Sequence, residues 1–385
     1  MIGKILPVLV LMLLIGTVIP ISVLSSSVKT ITVDDDGGAD YKSIQDAIDA
    51  SDPGDTIYVY SGRYNERLDI GKNLILTGEN KETTMINYSG YENVINFSAD
   101  NIKMNGFTII KDGGYDFDAI IEIQANNSVI TNNTLKVETQ YSYYSNGVYI
   151  LSDKKENVVS NNTFIYSGLE LESEDIGVNE IKDNIVNGKP LVYLDGTKNE
   201  VIDHAGQIIL SNCENISIKD AEIDHTSIAI KIIDSDDCII QGCNVQRNTE
   251  GIMIVDSKNT EIMGNTITSN SYGLKIFETE KCSICNNDIT SNSQAIWFEY
   301  VNKANVTKNN LYSNGICLNI YFSNLNKIKQ NNFANNVYNV MAVMCSLNTY
   351  HNNYWNRPRI FPKIIFEFPR INFDWYPANE PFDNM

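Results

Sequence analysis

Between Pro190 and Pro358 the sequence has no proline, and the chain of 385 residues has only three histidines and six arginines. Each scarcity narrows the reading. The three histidines offer no pair with ligand spacing on one strand, which weighs against a histidine-built metal site. Four of the arginines, Arg63, Arg357, Arg359 and Arg370, lie outside any repeat. With a net charge of −19, the surface has little to offer the phosphates of a nucleic acid. The seven cysteines are odd in number, and no two are 22 residues apart. A disulfide framework is therefore not expected. After residue 27 no second long apolar run follows.

What is present in quantity is a repeat. Ile228-Ala229-Ile230, Glu250-Gly251-Ile252, Tyr272-Gly273-Leu274, Gln294-Ala295-Ile296, Ile316-Cys317-Leu318 and Tyr338-Asn339-Val340 start successive units 22 residues apart. A fixed period of this length marks a repeat architecture. Aligned at 22, one apolar column reads Ile218, Ile240, Ile262, Ile284, Val306, Ile328. Another reads Ile223, Val245, Ile267, Ile289, Leu311, Phe333, Trp355. Two further columns run through Ile230 and Ile232. Each unit thus supplies three short strands, which bury a face only by stacking in parallel about 4.8 Å apart. An inward Ile or Leu is then worth roughly 1.5–3 kcal/mol.

Two polar columns accompany them: Asn265, Asn287, Asn309, Asn331, Asn353 and Asn248, Asn270, Asn292, Asn314, Asn336. Asn tolerates the bends between strands, and stacked amides form hydrogen-bonded ladders. These are expected to be structural. The expectation is an all-β, right-handed parallel β-helix of about twelve rungs with one short N-terminal capping helix.

Met1 to Ser27 reads as a signal peptide, with an uncleaved N-terminal membrane anchor as the rival. The β-helix is expected over 28–355. Its N-terminal cap spans 28–60 and holds a helix at Ser43–Ala50, where Ser43 and Asp46 have capping-box spacing. The last segment, 356–385, has five of the nine prolines and many aromatics, and is expected to cap the other end.

Carried backwards, the register breaks three times. Phe107 to Ile120 and Leu135 to Val148 are 13 residues apart, and Val186 to Ile208 is 22, where Ile267 to Leu274 is 7. All three breaks are expected as insertions leaving one corner, and insertions in repeat proteins tend to mark the binding face. The first carries Tyr115, Asp116 and Asp118, and the second Tyr141, Tyr143 and Tyr144. Aromatics flanked by carboxylates suit sugar rings and their hydroxyls; the alternative is loops packing on each other. The third brings Asp203 and His204 towards His225 and Arg247, with Asp224 and Glu250 nearby.

The segments Ser43 to Ile48, Pro53 to Ile57 and Gly62 to Tyr64 resemble the N-terminal cap of pectin-lyase-like β-helices. Gly188 to Leu194, Ala205 to Cys213 and the Asn-rich repeats are similar to the periplasmic copper-binding NosD family. The tail, Asn352 to Trp355 and Ile371 to Trp375, is similar to exported archaeal members. The resemblance covers about residues 30–385 and implies the fold. β-Helix lyases often use Arg or Lys as base with calcium. By that resemblance Arg247 would be the base, with His225, His204 and Asp203 in the cluster, and Asp203 or Asp224 would hold calcium. The paired aspartates and Gly-His-Gly of polygalacturonases are absent, as is a recognisable lyase Arg motif. The family name implies copper, for which Met263, Cys282 and Cys285 are the soft donors present. Asp234, Asp256 and Glu278 form an acidic column that Ca²⁺ could neutralise; screening by solvent, Lys258 and Lys281 is the other account.

The leading expectation is an exported protein, periplasmic, extracellular or on the cell surface. It would bind a polysaccharide or cell-surface glycan without catalysis, with no nucleic-acid partner. The alternatives are a polysaccharide lyase, hydrolase or epimerase using the corner cluster, and a copper-binding accessory protein for metalloenzyme maturation.

Overall fold

The computed structural model describes residues 28–113, 118–138, 145–172, 178–359 and 361–383. Tyr115, Asp116, Tyr141, Tyr143, Tyr144 and the segment Met1 to Ser27 lie outside the described residues. Among those described, the chain is almost wholly β, with one helix and about 15 turns of parallel β-solenoid, rather than twelve. No helix among them is long and apolar enough to cross a membrane.

The helix, Ile44–Ala50, begins as its sequence predicts. The Ser43 hydroxyl accepts from the Asp46 amide at 3.2 Å. A second carboxylate, Glu66, accepts from the Ile44 and Gln45 amides at 2.9 and 3.0 Å, where the helix dipole favours negative charge. Lys72 closes the other end on the carbonyls of Ile48, Asp49 and Ser51. Ile44, Ala47 and Ile48 are buried over the first turn of the solenoid.

Three parallel sheets then build the first solenoid. One runs from Thr30–Val33 to Glu180–Lys182, a second from Gly62–Asn65 to Ile185–Val186, and a third from Leu68–Ile70 to Leu169–Leu171. Ile109 stands opposite Leu135, and Ile121 opposite Val148. The first break therefore runs from Ile109, not Phe107, and is 12 residues long.

The third break is not a loop. Ile185–Val186 turns back on Lys189–Asp195 as an antiparallel hairpin, with Val186 opposite Lys189. Its two-residue turn, Asn187-Gly188, has φ of 48° and 82°, the left-handed pair that a tight hairpin with strand-matched twist requires. Lys189–Asp195 and Val201–Ile202 are then the first strands of a second set of sheets.

From there the 22-residue register is kept. The widest sheet pairs Ile228–Ile233, Glu250–Val255, Tyr272–Phe277, Gln294–Glu299, Ile316–Tyr321 and Tyr338–Val343. Inside, both Asn columns form the expected ladders. Asn265, Asn287, Asn309 and Asn331 each donate from Nδ2 to the next Oδ1 at 2.9–3.1 Å. The last, Asn353, donates to Asp374 Oδ2 at 3.1 Å, as does Trp355 Nε1 at 3.0 Å. Asp374 belongs to an antiparallel hairpin, Lys363–Phe368 with Arg370–Asp374, laid over the final turn.

The buried apolar residues form two cores rather than one. One runs from Val33 to Leu191 and the other from Ile202 to Ile365. Ile209 and Ile233 point outwards from the second solenoid and complete the first core. The first solenoid thus ends against the outer face of the second.

Candidate functional site

Along the six-residue strands of the widest sheet, side chains alternate in and out. Ile230 and Ile232 point inwards with their register partners. Lys231, Met253, Lys275, Trp297 and Asn319 form one outer column, and Ile233, Val255, Phe277, Glu299 and Tyr321 another. Outward positions on a sheet are normally solvated. Here the first rungs meet the edge strand Leu169–Leu171 of the first solenoid, and Gln207, Ile209, Lys231 and Ile233 are buried.

The meeting is polar as well as apolar. Gln207 accepts from the Leu169 amide at 2.9 Å and donates to its carbonyl at 2.8 Å. Lys231 donates to the Leu171 carbonyl at 2.7 Å and is ion-paired with Glu170. One rung-pair further on, Lys275 is ion-paired with Glu250. Its ammonium also lies 4.9 Å from the centre of the Tyr272 ring and 5.6 Å from that of Phe277. Burial raises the Glu170 carboxyl above its ordinary value; Lys231 opposes that shift and Glu250 adds to it. The Tyr149 hydroxyl is likewise raised, first by burial and then by its hydrogen bond to Glu172.

These groups surround a cavity of about 120 Å³ between the solenoids. Asn146, Tyr149 and Glu170 line it from the first; Ser227, Thr249, Glu250, Tyr272 and Lys275 line it from the second. Three lining atoms, Glu170 Oε2, Glu250 Oε2 and Ser227 Oγ, are buried with no hydrogen-bond partner in the protein. Beside the cavity runs an aromatic row. Trp297 lies 5.6 Å from Tyr272, 6.2 Å from Phe277 and 6.1 Å from Tyr321 between ring centres. Its indole N–H is also buried and unpartnered.

The sequence-predicted corner is assembled in part. Asp224 Oδ2 lies 3.0 Å from His225 Nδ1 and 3.6 Å from Arg247. His225 and Arg247 both have φ of 54°, because they occupy the same bend on successive rungs. The rings of Tyr166 and His225 are 5.5 Å apart. Asp203 and His204 lie exposed between Val201–Ile202 and Gln207–Ser211. Among the described residues no hydrogen bond or ion pair joins them to this trio. Asp118, the described member of the first candidate loop, lies 3.9 Å from the buried Lys111.

The metal candidates separate too. Met263 and Cys285 are register partners on adjacent strands, as expected. Cys282 instead faces the core, fully buried, and burial pushes its thiol up to about 12. That leaves two soft donors, which do not fit a closed copper site. Asp234, Asp256 and Glu278 are exposed at left-handed bends with φ of 44°, 42° and 48°. They do not converge. Among the described residues the one group of three close ligand atoms is Asp34, Asp35 and Asp36.

The register and the stacked sheets define a parallel β-helix. Within it, residues 195–368 match the family described as periplasmic copper-binding protein (NosD). That segment coincides with the second solenoid, from the end of Lys189–Asp195 to the end of Lys363–Phe368. No curated protein matches the chain. Among solved structures it is similar to the periplasmic alginate epimerase AlgG, with 12% identity, TM-score 0.34 and 83% of each chain covered. The Azotobacter vinelandii mannuronan C-5 epimerase AlgE6 A-module is 12% identical, with TM-score 0.28, covering 79% of this chain and 92% of that one. The pectin methylesterase from Aspergillus niger is 16% identical, with TM-score 0.31, covering 70% and 87%. Nothing about activity follows at these identities.

Sequence reasoning missed the junction. Glu170, Lys231 and Lys275 occupy outward positions that read as surface, and Glu250, expected near the His225 corner, lines the junction cavity and pairs with Lys275. One signal was available, the Asn187-Gly188 dipeptide, which marks the hairpin where the first solenoid stops.

Proposed function

We propose that this protein is exported and binds a polysaccharide or cell-surface glycan without transforming it. The observation that carries this reading is the aromatic row on the outer face of the widest sheet. Tyr272, Phe277, Trp297 and Tyr321 are half-buried; the first two share one rung, and Trp297 and Tyr321 lie on the next two. Such rings offer apolar faces to sugar C–H groups, and the unpartnered Trp297 N–H can donate to a ring or hydroxyl oxygen. Spacing by rung suits a repeating polymer. The periplasmic description of the NosD family is in keeping with export through Met1 to Ser27. The test is a glycan array with the purified protein, run beside product assays on the same polymers. Binding without products is expected. No binding to any glycan overturns the reading.

A second reading, cleavage or epimerisation of a polysaccharide, draws on the 3.0 Å contact between Asp224 and His225 beside Arg247. Products that vanish in Arg247→Ala would establish it in place of the first.

A further inference from the structure

The cavity between the solenoids has a chemical signature distinct from the aromatic row. Its orphaned atoms are acceptors, Glu170 Oε2 and Glu250 Oε2, with one hydroxyl, Ser227 Oγ. A buried acceptor without a partner costs free energy, so a ligand that donates hydrogen bonds gains by restoring what burial removed. Glu170 and Glu250 come from different solenoids, and the cavity exists only where the two meet.

The charges narrow the ligand further. The other oxygen of each carboxylate is held by an ammonium, Lys231 on Glu170 and Lys275 on Glu250. Two carboxylates and two ammonium groups make the cluster neutral. A divalent cation would approach two lysines already seated on its ligands, and repulsion at that range in a dry site is strong. A uronate would place a third carboxylate against two oxygens that have no donor. Neutral hydroxyl groups avoid both conflicts. They donate to the glutamates and accept from Ser227. The volume, about 120 Å³, takes a hydroxymethyl or vicinal diol and leaves the rest of the ring at the mouth, where Tyr272 stands.

We propose that the junction cavity is a hydroxyl-binding subsite for one neutral sugar unit, continuous with the aromatic row. It rests on the glycan-binding reading and adds a preference for neutral over acidic chains. It also makes the ligand a link between the two solenoids.

Isothermal titration calorimetry on the full chain tests this, using neutral hexose oligosaccharides and oligogalacturonates as probes. The proteins compared are the wild type, Ser227→Ala, Glu250→Gln and Trp297→Ala. Ser227→Ala leaves both ion pairs in place, and circular dichroism checks that each variant is folded. The expected result is tighter binding of a neutral oligosaccharide than of oligogalacturonate. Ser227→Ala and Glu250→Gln should each weaken the neutral ligand about tenfold. The bound ligand should also raise the melting temperature. If Trp297→Ala weakens binding while Ser227→Ala and Glu250→Gln leave it unchanged, the cavity holds solvent only. The subsite is then overturned, while the glycan-binding reading stands. A preference for oligogalacturonate overturns the subsite in the same way. Absence of binding by the wild type to every glycan overturns both.

Discussion

The side-chain amide of Gln207 exchanges two hydrogen bonds with the backbone of Leu169, at 2.9 and 2.8 Å, in the way a neighbouring strand would. Leu169–Leu171 is the last strand of its sheet, and an open edge is a site of wrong pairing. Here the edge is closed by side chains. Lys231 completes the cover at Leu171, and Thr226 at the Ser167 carbonyl.

Replacing Gln207 by Leu keeps its bulk and orphans a buried amide and carbonyl. The expected loss is about 2–5 kcal/mol of stability, read by urea unfolding. A loss under about 0.5 kcal/mol, the size of an ordinary surface change, would mean that solvent reaches this edge.

Lys231 and Glu170 form a buried pair, and removing one partner strands the other. Lys231→Met is expected to cost about 3–5 kcal/mol, and the double change Lys231→Met with Glu170→Leu distinctly less. The pH dependence follows from the raised Glu170 carboxyl. A folded value above the unfolded one means that the folded state holds the proton more tightly. This contribution is therefore full below the ordinary carboxyl value and is lost as pH rises through the folded one. Glu170→Gln should remove that part of the pH dependence, which lies above the ordinary carboxyl value. Unfolding curves across that range, wild type against variant, check it.

The Asn ladders should carry more stability than the residues beside them. Asn309 donates to Ile284, Thr307 and Asn331 and accepts from Asn287. Asn309→Ala is expected to cost about 2–4 kcal/mol. Next to it, half-buried Asn310 donates to Asp288 at 2.8 Å and accepts from Asn332 at 2.7 Å, with no side-chain bond to the backbone among the described residues, and Asn310→Ala should cost about 1 kcal/mol or less. Equal costs would refute the structural role given to the ladder.

Thiol reactivity should separate one cysteine from six. Cys213, Cys238, Cys243, Cys282, Cys317 and Cys345 are buried, and Cys285 is half-buried on the outer face. Burial raises Cys238 to about 11 and Cys282 to about 12, so neither is a thiolate at neutral pH. Iodoacetamide labelling followed by peptide mass spectrometry should find Cys285 modified in the native protein, and all seven after unfolding. Early labelling of Cys282 would contradict its place in the core.

Much of this architecture was legible in the residues. The columns through Ile240 and Ile267 are the core. Asn287 and Asn309 form the expected rungs, and Ser43 caps the helix. These follow from periodicity and local chemistry, which act within one or two rungs. The junction was less legible because it depends on which surfaces meet. Lys189 to Asp195 has the same apolar alternation as any other strand here, so its pattern conceals that it starts a new solenoid. Only the turn before it, Asn187-Gly188, differs. Lys231 sits in a column whose later members, Met253 and Lys275, are partly exposed, and its burial is set by a partner 60 residues earlier.

Asp374 ends a ladder in which every amide points the same way, with its donor towards the C-terminus. Each added rung would therefore leave the same unsatisfied donor at its end, ready for the next. A carboxylate accepts and has nothing to pass on. In polymer terms, Asp374 is a chain terminator: it keeps a self-templating array from recruiting another molecule onto its open end. By that logic the length of this solenoid is set by where the acid falls in the sequence, and further 22-residue units inserted upstream would lengthen the rod without creating a new sticky end.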